Sequence, residues 1–180
     1  MTRALFLDRD GIINVDTGYT YKTQDIVFME GIFDICRNAQ QAGYKLIVVT
    51  NQSGIGRGYY TEKDLHTVMA WMQEKLAEEQ ITLDKYYYCP YHPEGIGQYR
   101  RESNDRKPGA GMLLKAKQEF NILMQDSIML GDKPADMEAA WRAGVGRKLM
   151  LPHTGYPTSP YADRILTHLR EALKEFPAFA

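Results

Sequence analysis

Residues 4–11, Ala4-Leu5-Phe6-Leu7-Asp8-Arg9-Asp10-Gly11, set four apolar side chains directly before two carboxylates and a glycine. A short apolar run ended by a turn reads as a strand buried on both faces, as in parallel sheets. Similar runs recur at residues 45–49, 86–89, 127–130 and 148–151, and residues 161–164 lead into a last short strand. Helical stripes lie between them. Ile32, Ile35, Cys36 and Ala39 share one face, with Gly43 at a C-cap position. Leu65, Val68, Met69, Met72 and Leu76 share another, entered through Thr61 and Asp64 at capping-box spacing. Met112, Leu113, Ala116 and Phe120 make a third stripe. Met137, Ala140 and Trp141 make a fourth, between Pro134 and Gly144. The alternation predicts an α/β fold: a three-layer, Rossmann-like parallel sheet formed by one domain over residues 1–180.

Ligands of such sheets sit beyond the carboxyl ends of the strands. There the sequence places Asp8-Arg9-Asp10-Gly11, Thr50-Asn51-Gln52-Ser53-Gly54 and Gly131-Asp132-Lys133, with Arg106-Lys107-Pro108 just before a helix. Any one of these reads equally as a turn former, a helix cap or a solvated cation. Asp132 capping the next helix, with Asp8 and Asp10 in water, is the alternative to a shared site. Together they bring carboxylates from two strands, polar groups from a third and a cation to one edge. Asp8 and Asp10, two residues apart, lean to the same side of an extended chain. Carboxylates that close repel unless a proton or cation intervenes, and oxygen ligands of this kind suit Mg²⁺.

Composition narrows the field. Lys plus Arg number 22 against 23 Asp plus Glu, a net charge of −1 that supplies no field for nucleic acid or an anionic membrane. No apolar run approaches the roughly 18 residues of a membrane span, and the N-terminus turns charged too early for a secretory signal. Cys36 and Cys89 are too few for a disulfide framework. A cytoplasmic enzyme is the expectation. The four histidines, His66, His92, His153 and His168, show no spacing for a catalytic pair. Gly54-Ile55-Gly56-Arg57-Gly58 matches no phosphate-binding fingerprint and reads as a flexible turn.

In order, Asp8-x-Asp10-Gly11, Thr50-Asn51, Lys107 and Gly131-Asp132-x-x-x-Asp136 resemble the four motifs of the haloacid dehalogenase superfamily of phosphohydrolases. Asn14-Val15-Asp16-x-Gly18-Tyr19, Val49 to Ile55, Tyr87-Tyr88-Cys89-Pro90 and Arg106-Lys107-Pro108 are similar to its branch of heptose-1,7-bisphosphate 7-phosphatases and histidinol-phosphatases. The resemblance implies a cap reduced to a flap at residues 13–29 and a loop at 90–106. It implies Asp8 as nucleophile, Asp10 as general acid and base, and Mg²⁺ held by Asp8, the Asp10 carbonyl and Asp132. Thr50, the Asn51 amide and Lys107 would take the phosphoryl oxygens, and Asp136 would sit in the metal's outer shell or orient Lys107.

The implied reaction is removal of the 7-phosphate of D-glycero-D-manno-heptose 1,7-bisphosphate, a step toward lipopolysaccharide-core heptose, by a monomer. Histidinol phosphate or another small metabolite is the alternative substrate, and a noncatalytic sugar-phosphate binding module the alternative class. Gln52, Ser53, Arg57, Arg106 and Lys133 join the candidate substrate-binding residues, as do Arg100 and Arg101 of the loop. Arg106 suits a distal phosphate best. Two departures stand out. Ile12 replaces the usual Thr, and the positions where relatives often bind structural zinc read Cys89, Tyr91, Ser103 and Asp105. One thiolate does not make a tetrahedral site, so no structural zinc is expected.

Overall fold

The computed structural model describes residues 1–176. Its strands are β1 Arg3–Leu7, β2 Tyr44–Asn51, β3 Lys85–Cys89, β4 Ile128–Gly131, β5 Arg147–Met150 and β6 Arg164–Ile165. They pair in parallel throughout, in the order β3-β2-β1-β4-β5-β6. The α-helices are α1 Ile32–Gln41, α2 Ser53–Gly56, α3 Glu62–Glu78, α4 Gly111–Phe120 and α5 Pro134–Arg142, and a 3-10 helix spans Leu169–Glu175.

Strand alternation builds two cores. Leu5, Leu7, Leu46, Val48 and Leu130 belong to one, with Ile32, Ile35, Leu65 and Val68 of α1 and α3. Ala4, Phe6, Ile47, Val49 and Met129 belong to the other, with Met112, Leu113, Met137 and Ala140 of α4 and α5. The sheet is therefore the middle of three layers, as the continuous apolar runs require. Strand order reverses at β1, which opens a crevice where β1, β2 and β4 end side by side. Local signals agree with this plan. The Thr61 hydroxyl accepts from the Asp64 amide at 3.1 Å and the Asp64 carboxylate from the Thr61 amide at 2.9 Å, closing the N-terminus of α3.

Two local expectations are corrected. Residues 54–58 are not merely a turn, because Ser53–Gly56 is one helical turn whose Gly56 carbonyl receives the Ile96 amide at 2.7 Å. That bond, with Tyr99 donating to Glu62 at 2.7 Å, docks the 90–106 loop onto α2 and α3. The loop also carries a 3-10 turn, Gly97–Tyr99. Trp141 is 53% exposed rather than in the core, since it follows Ala140 by 100° around α5 and stacks on Tyr161 instead. Ile12, the departure after Asp-Gly, is fully buried in the core with α1 and α3.

Ser127 shows how tightly the central strands are joined. Its buried hydroxyl accepts from the Ala4 amide at 3.0 Å and donates to the Leu123 carbonyl at 2.7 Å. Ser127→Ala takes this partner from the buried Ala4 amide, while the Leu123 carbonyl keeps the Asp126 amide at 3.2 Å, at an expected cost of about 1–3 kcal/mol. Urea unfolding should show a lower midpoint at unchanged slope, and an unmoved midpoint would contradict the role.

Candidate active site

Asp8 and Asp10 follow β1, Thr50 and Asn51 end β2, Asp132 and Lys133 follow β4, and Lys107 arrives from the segment before α4. Lys107 is 3% exposed, and its ammonium uses three partners. It lies 3.0 Å from Asp8 Oδ1, 2.6 Å from Asp136 Oδ1 and 2.7 Å from the Val49 carbonyl. Burial alone would lower its pKa, but the Asp136 and Asp8 carboxylates more than reverse this and keep it charged. Asn51 brackets the Lys107 backbone, its Nδ2 donating to the carbonyl at 3.1 Å and its Oδ1 accepting from the amide at 3.0 Å.

Asp136 Oδ2 accepts from the Asp132 and Lys133 amides, both at 3.0 Å. Asp136, not Asp132, therefore serves the start of α5, which removes helix capping as an explanation of Asp132. Asp132 is 1% exposed, and among the described residues neither of its oxygens has a hydrogen-bond partner. Carboxylate oxygens of Asp8, Asp132 and Asp136 lie within 4.8 Å of one another. Burial and then the Asp136 charge push Asp8 up to about 6 despite Lys107. Burial and then the Asp8 charge push Asp132 up to about 10.

Orphaned, buried oxygens facing a second carboxylate fit a hard divalent cation such as Mg²⁺. The glycine after Asp10 permits this approach. Gly11 has φ +91°, and a Cβ there would stand 2.1 Å from Asp132 Oδ2. Asp16, Asp132 and His153 form a neighbouring acidic group, with His153 Nδ1 3.5 Å from Asp132 Oδ2. Lys133 Nζ lies 3.6 Å from Asp16. Burial would lower the Lys133 pKa, and Asp132, Asp8 and Asp16 together raise it instead.

Asp10 is held from several sides. The fully buried Arg9 donates Nε to Oδ1 at 3.1 Å and Nη2 to both oxygens, Asn14 Nδ2 donates at 2.9 Å, and Gln52 Nε2 at 3.1 Å. Gln52, a candidate substrate-binding residue that lines the cavity, shares its amide among Asp10, Thr50 Oγ1 at 2.9 Å and the Tyr60 hydroxyl.

A cavity of about 580 Å³ opens above these groups, lined also by Asp16 and Tyr19 of the flap, Ser53, Arg57, Arg106, Lys133 and Tyr156. Arg106 Nη1 and Arg57 Nε are buried without hydrogen-bond partners among the described residues, whereas Arg57 Nη2 meets His92 at 3.2 Å and Glu94 at 3.3 Å. Arg100 and Arg101 are exposed and do not line the cavity, and Arg101 lies 4.0 Å over the Tyr91 ring. Their distance from the crevice follows from the docking of the loop at Ile96 and Tyr99. Cys89 is buried beside Ser103 and the Tyr91 backbone, and Asp105 pairs with Lys115 at 2.5 Å.

Sequence reasoning did not find Arg9, Tyr60, His153 or Tyr156. Only Arg9 carried a usable signal, as a cation between two site carboxylates.

Comparison with known proteins agrees with this geometry. The family model described as haloacid dehalogenase-like hydrolase matches residues 99–149. A D-glycero-beta-D-manno-heptose-1,7-bisphosphate 7-phosphatase of Vibrio cholerae is 44% identical over 98% of this chain and 95% of its own. A D-glycero-alpha-D-manno-heptose-1,7-bisphosphate 7-phosphatase of Burkholderia mallei is 49% identical over 83% and 79%. The crystal structure of a D,D-heptose 1,7-bisphosphate phosphatase from B. bronchiseptica, complexed with magnesium and phosphate, superposes with a TM-score of 0.82. At 23% identity, over 97% of each chain, that likeness shows the fold. The chain belongs to the haloacid dehalogenase-like hydrolases, in the family of heptose-1,7-bisphosphate 7-phosphatases.

The crowded carboxylates predict a pH-dependent response to metal. A carboxyl whose folded pKa exceeds its ordinary 3.8 holds a proton that unfolding releases, so metal-free stability falls as pH rises, through about 6 for Asp8 and about 10 for Asp132. Thermal melts in EDTA should decline from pH 5 to pH 8, and Mg²⁺ should raise Tm more at pH 8 than at pH 5. Asp132→Asn should remove most of both effects. A Tm indifferent to Mg²⁺ at pH 8 would count against the site.

Proposed function

We propose that this protein hydrolyses the 7-phosphate ester of D-glycero-D-manno-heptose 1,7-bisphosphate, with Mg²⁺ as cofactor, through an aspartyl-phosphate on Asp8. The observation that carries the reading is the pairing of Asp8 with Lys107 in the lining of a cavity with room for a phosphorylated sugar, beside the buried carboxylate of Asp132. The names of the relatives support the substrate.

Both hydrogen bonds that Asp8 accepts, from the Arg9 amide at 2.9 Å and from Lys107, fall on Oδ1. Oδ2 is thus the oxygen that attacks phosphorus, forming the acyl phosphate as the P–O bond to the sugar breaks. Asp10 gives its proton to the departing alkoxide and then takes one from the water that cleaves the intermediate. Lys107, the Thr50 hydroxyl and the Asn51 amide meet the phosphoryl oxygens, and Asp136 orients Lys107. Asp8, the Asp10 carbonyl and Asp132 would hold Mg²⁺, which would offset the repulsion between carboxylate and phosphate. The open guanidinium positions of Arg106 and Arg57 suit the phosphate that stays behind, with Ser53 and Lys133 along the sugar.

In this reading residues 1–180 work as one monomeric, cytoplasmic domain. The single sheet supports one domain, and none of the described helices is long and apolar enough to cross a membrane. The loop takes no structural zinc, because the four positions offer one thiol, a phenol, a hydroxyl and a carboxylate already paired with Lys115.

Asp8→Asn should lower kcat more than a thousandfold, about 4 kcal/mol, and retention of activity within tenfold would overturn the nucleophile. In a panel of phosphorylated metabolites the heptose bisphosphate should exceed monophosphates, histidinol phosphate included, by more than tenfold in kcat/KM. Arg106→Ala should cut kcat/KM for the bisphosphate tenfold or more and leave monophosphates nearly unchanged. An equal fall for both would refute the distal-phosphate role.

A further inference from the structure

We propose that Tyr60 is a positioning residue for proton transfer: its hydroxyl fixes which way the Gln52 amide faces, and so holds Asp10 and Thr50 ready. This rests on the reading of Asp10 as general acid.

Gln52 is 2% exposed and touches three polar partners. Its Nε2 donates to Asp10 Oδ2 at 3.1 Å and to Thr50 Oγ1 at 2.9 Å, while its Oε1 accepts from the Tyr60 hydroxyl. With Nε2 facing it, Asp10 keeps its acid proton for the leaving group; the opposite amide orientation would set Oε1 there, where it would accept that proton and, once the proton has left, face a carboxylate that only accepts. It would also leave the Tyr60 hydroxyl hydrogen without its acceptor in a buried place. The two penalties act in one direction and select one orientation of the amide. The phenol is suited to this task. Burial raises its pKa and keeps it a donor.

Its ring is itself held, stacked on Tyr21 with centroids 5.0 Å apart and planes 8° from parallel. Gly54 makes room for it, since a Cβ at that position would lie 2.2 Å from the ring's Cε1. The Gln52-Ser53-Gly54 sequence therefore supplies both the amide and the space for the group that orients it. Tyr60 reaches Asp10 only through Gln52. Truncating it should loosen the acid without removing a ligand of phosphate or metal.

The test compares two leaving groups in the Mg²⁺-loaded full chain. A sugar alkoxide needs a proton as it departs, whereas p-nitrophenolate does not, and kcat/KM reports this first step. Tyr60→Phe should lower kcat/KM for the heptose bisphosphate tenfold or more and change that for p-nitrophenyl phosphate less than threefold. Gln52→Met should reproduce this selectivity, and the double variant should lose little more, because the two act in one chain. Equal losses on both substrates, or no loss on the sugar, would overturn the proposal. Asp10→Asn run beside them separates the failures. If it spares the sugar phosphate, the acid assignment itself falls. If it shows the selective loss and both Tyr60→Phe and Gln52→Met do not, only the positioning role falls.

Discussion

The buried ammonium of Lys107, shared between Asp8 and Asp136, is the contact on which the rest of the site depends. It ties the end of β1 to the start of α5 and, through the Val49 carbonyl, to the end of β2. Burial of charge is costly unless it is paired, and here the pairing is incomplete. Asp8, Asp132 and Asp136 bring three carboxylates against one ammonium. The remainder equals the charge of one divalent cation. Asp132, whose oxygens accept no hydrogen bond from the described residues, is the carboxylate such a cation would pair with.

The sheet topology makes this concentration of like charge possible. Side chains at the ends of neighbouring parallel strands necessarily approach each other, and the strands behind them are held by two apolar cores. Repulsion at the crevice is thus opposed by burial elsewhere, an arrangement in which local strain serves the chemistry. Asp136 performs two tasks at once. One oxygen pairs with Lys107, and the other receives the amides that open α5.

Much of this was legible in the sequence, for a definite reason. Apolar runs on both faces of a parallel sheet are continuous, so 4–7, 45–49 and 127–130 announced themselves as strands. The strand-end rule then pointed to Asp8, Thr50 and Asp132. Residues whose role depends on contacts distant in sequence, or on orientation, were not legible. Tyr60 has no pattern of its own and acquires its partner only because α2 turns the chain back. Gln52 sits in a substrate-like motif, yet burial commits its amide to Asp10 and Thr50. His153 and Tyr156 reach the crevice from the connection after β5, where no periodicity exists to read. Trp141 shows the opposite error, an apolar residue next to the buried face of α5 that turns to solvent and Tyr161.

One measurement addresses the charge balance most directly. Crystals grown with Mn²⁺ and beryllofluoride would locate the cation by its anomalous signal and the phosphoryl mimic by its density. The account requires the ion between Asp8 and Asp132 and the fluoride cluster on Asp8 Oδ2, within reach of Lys107. An ion seated instead among Asp16, Asp132 and His153, with Asp8 unmodified, would contradict it.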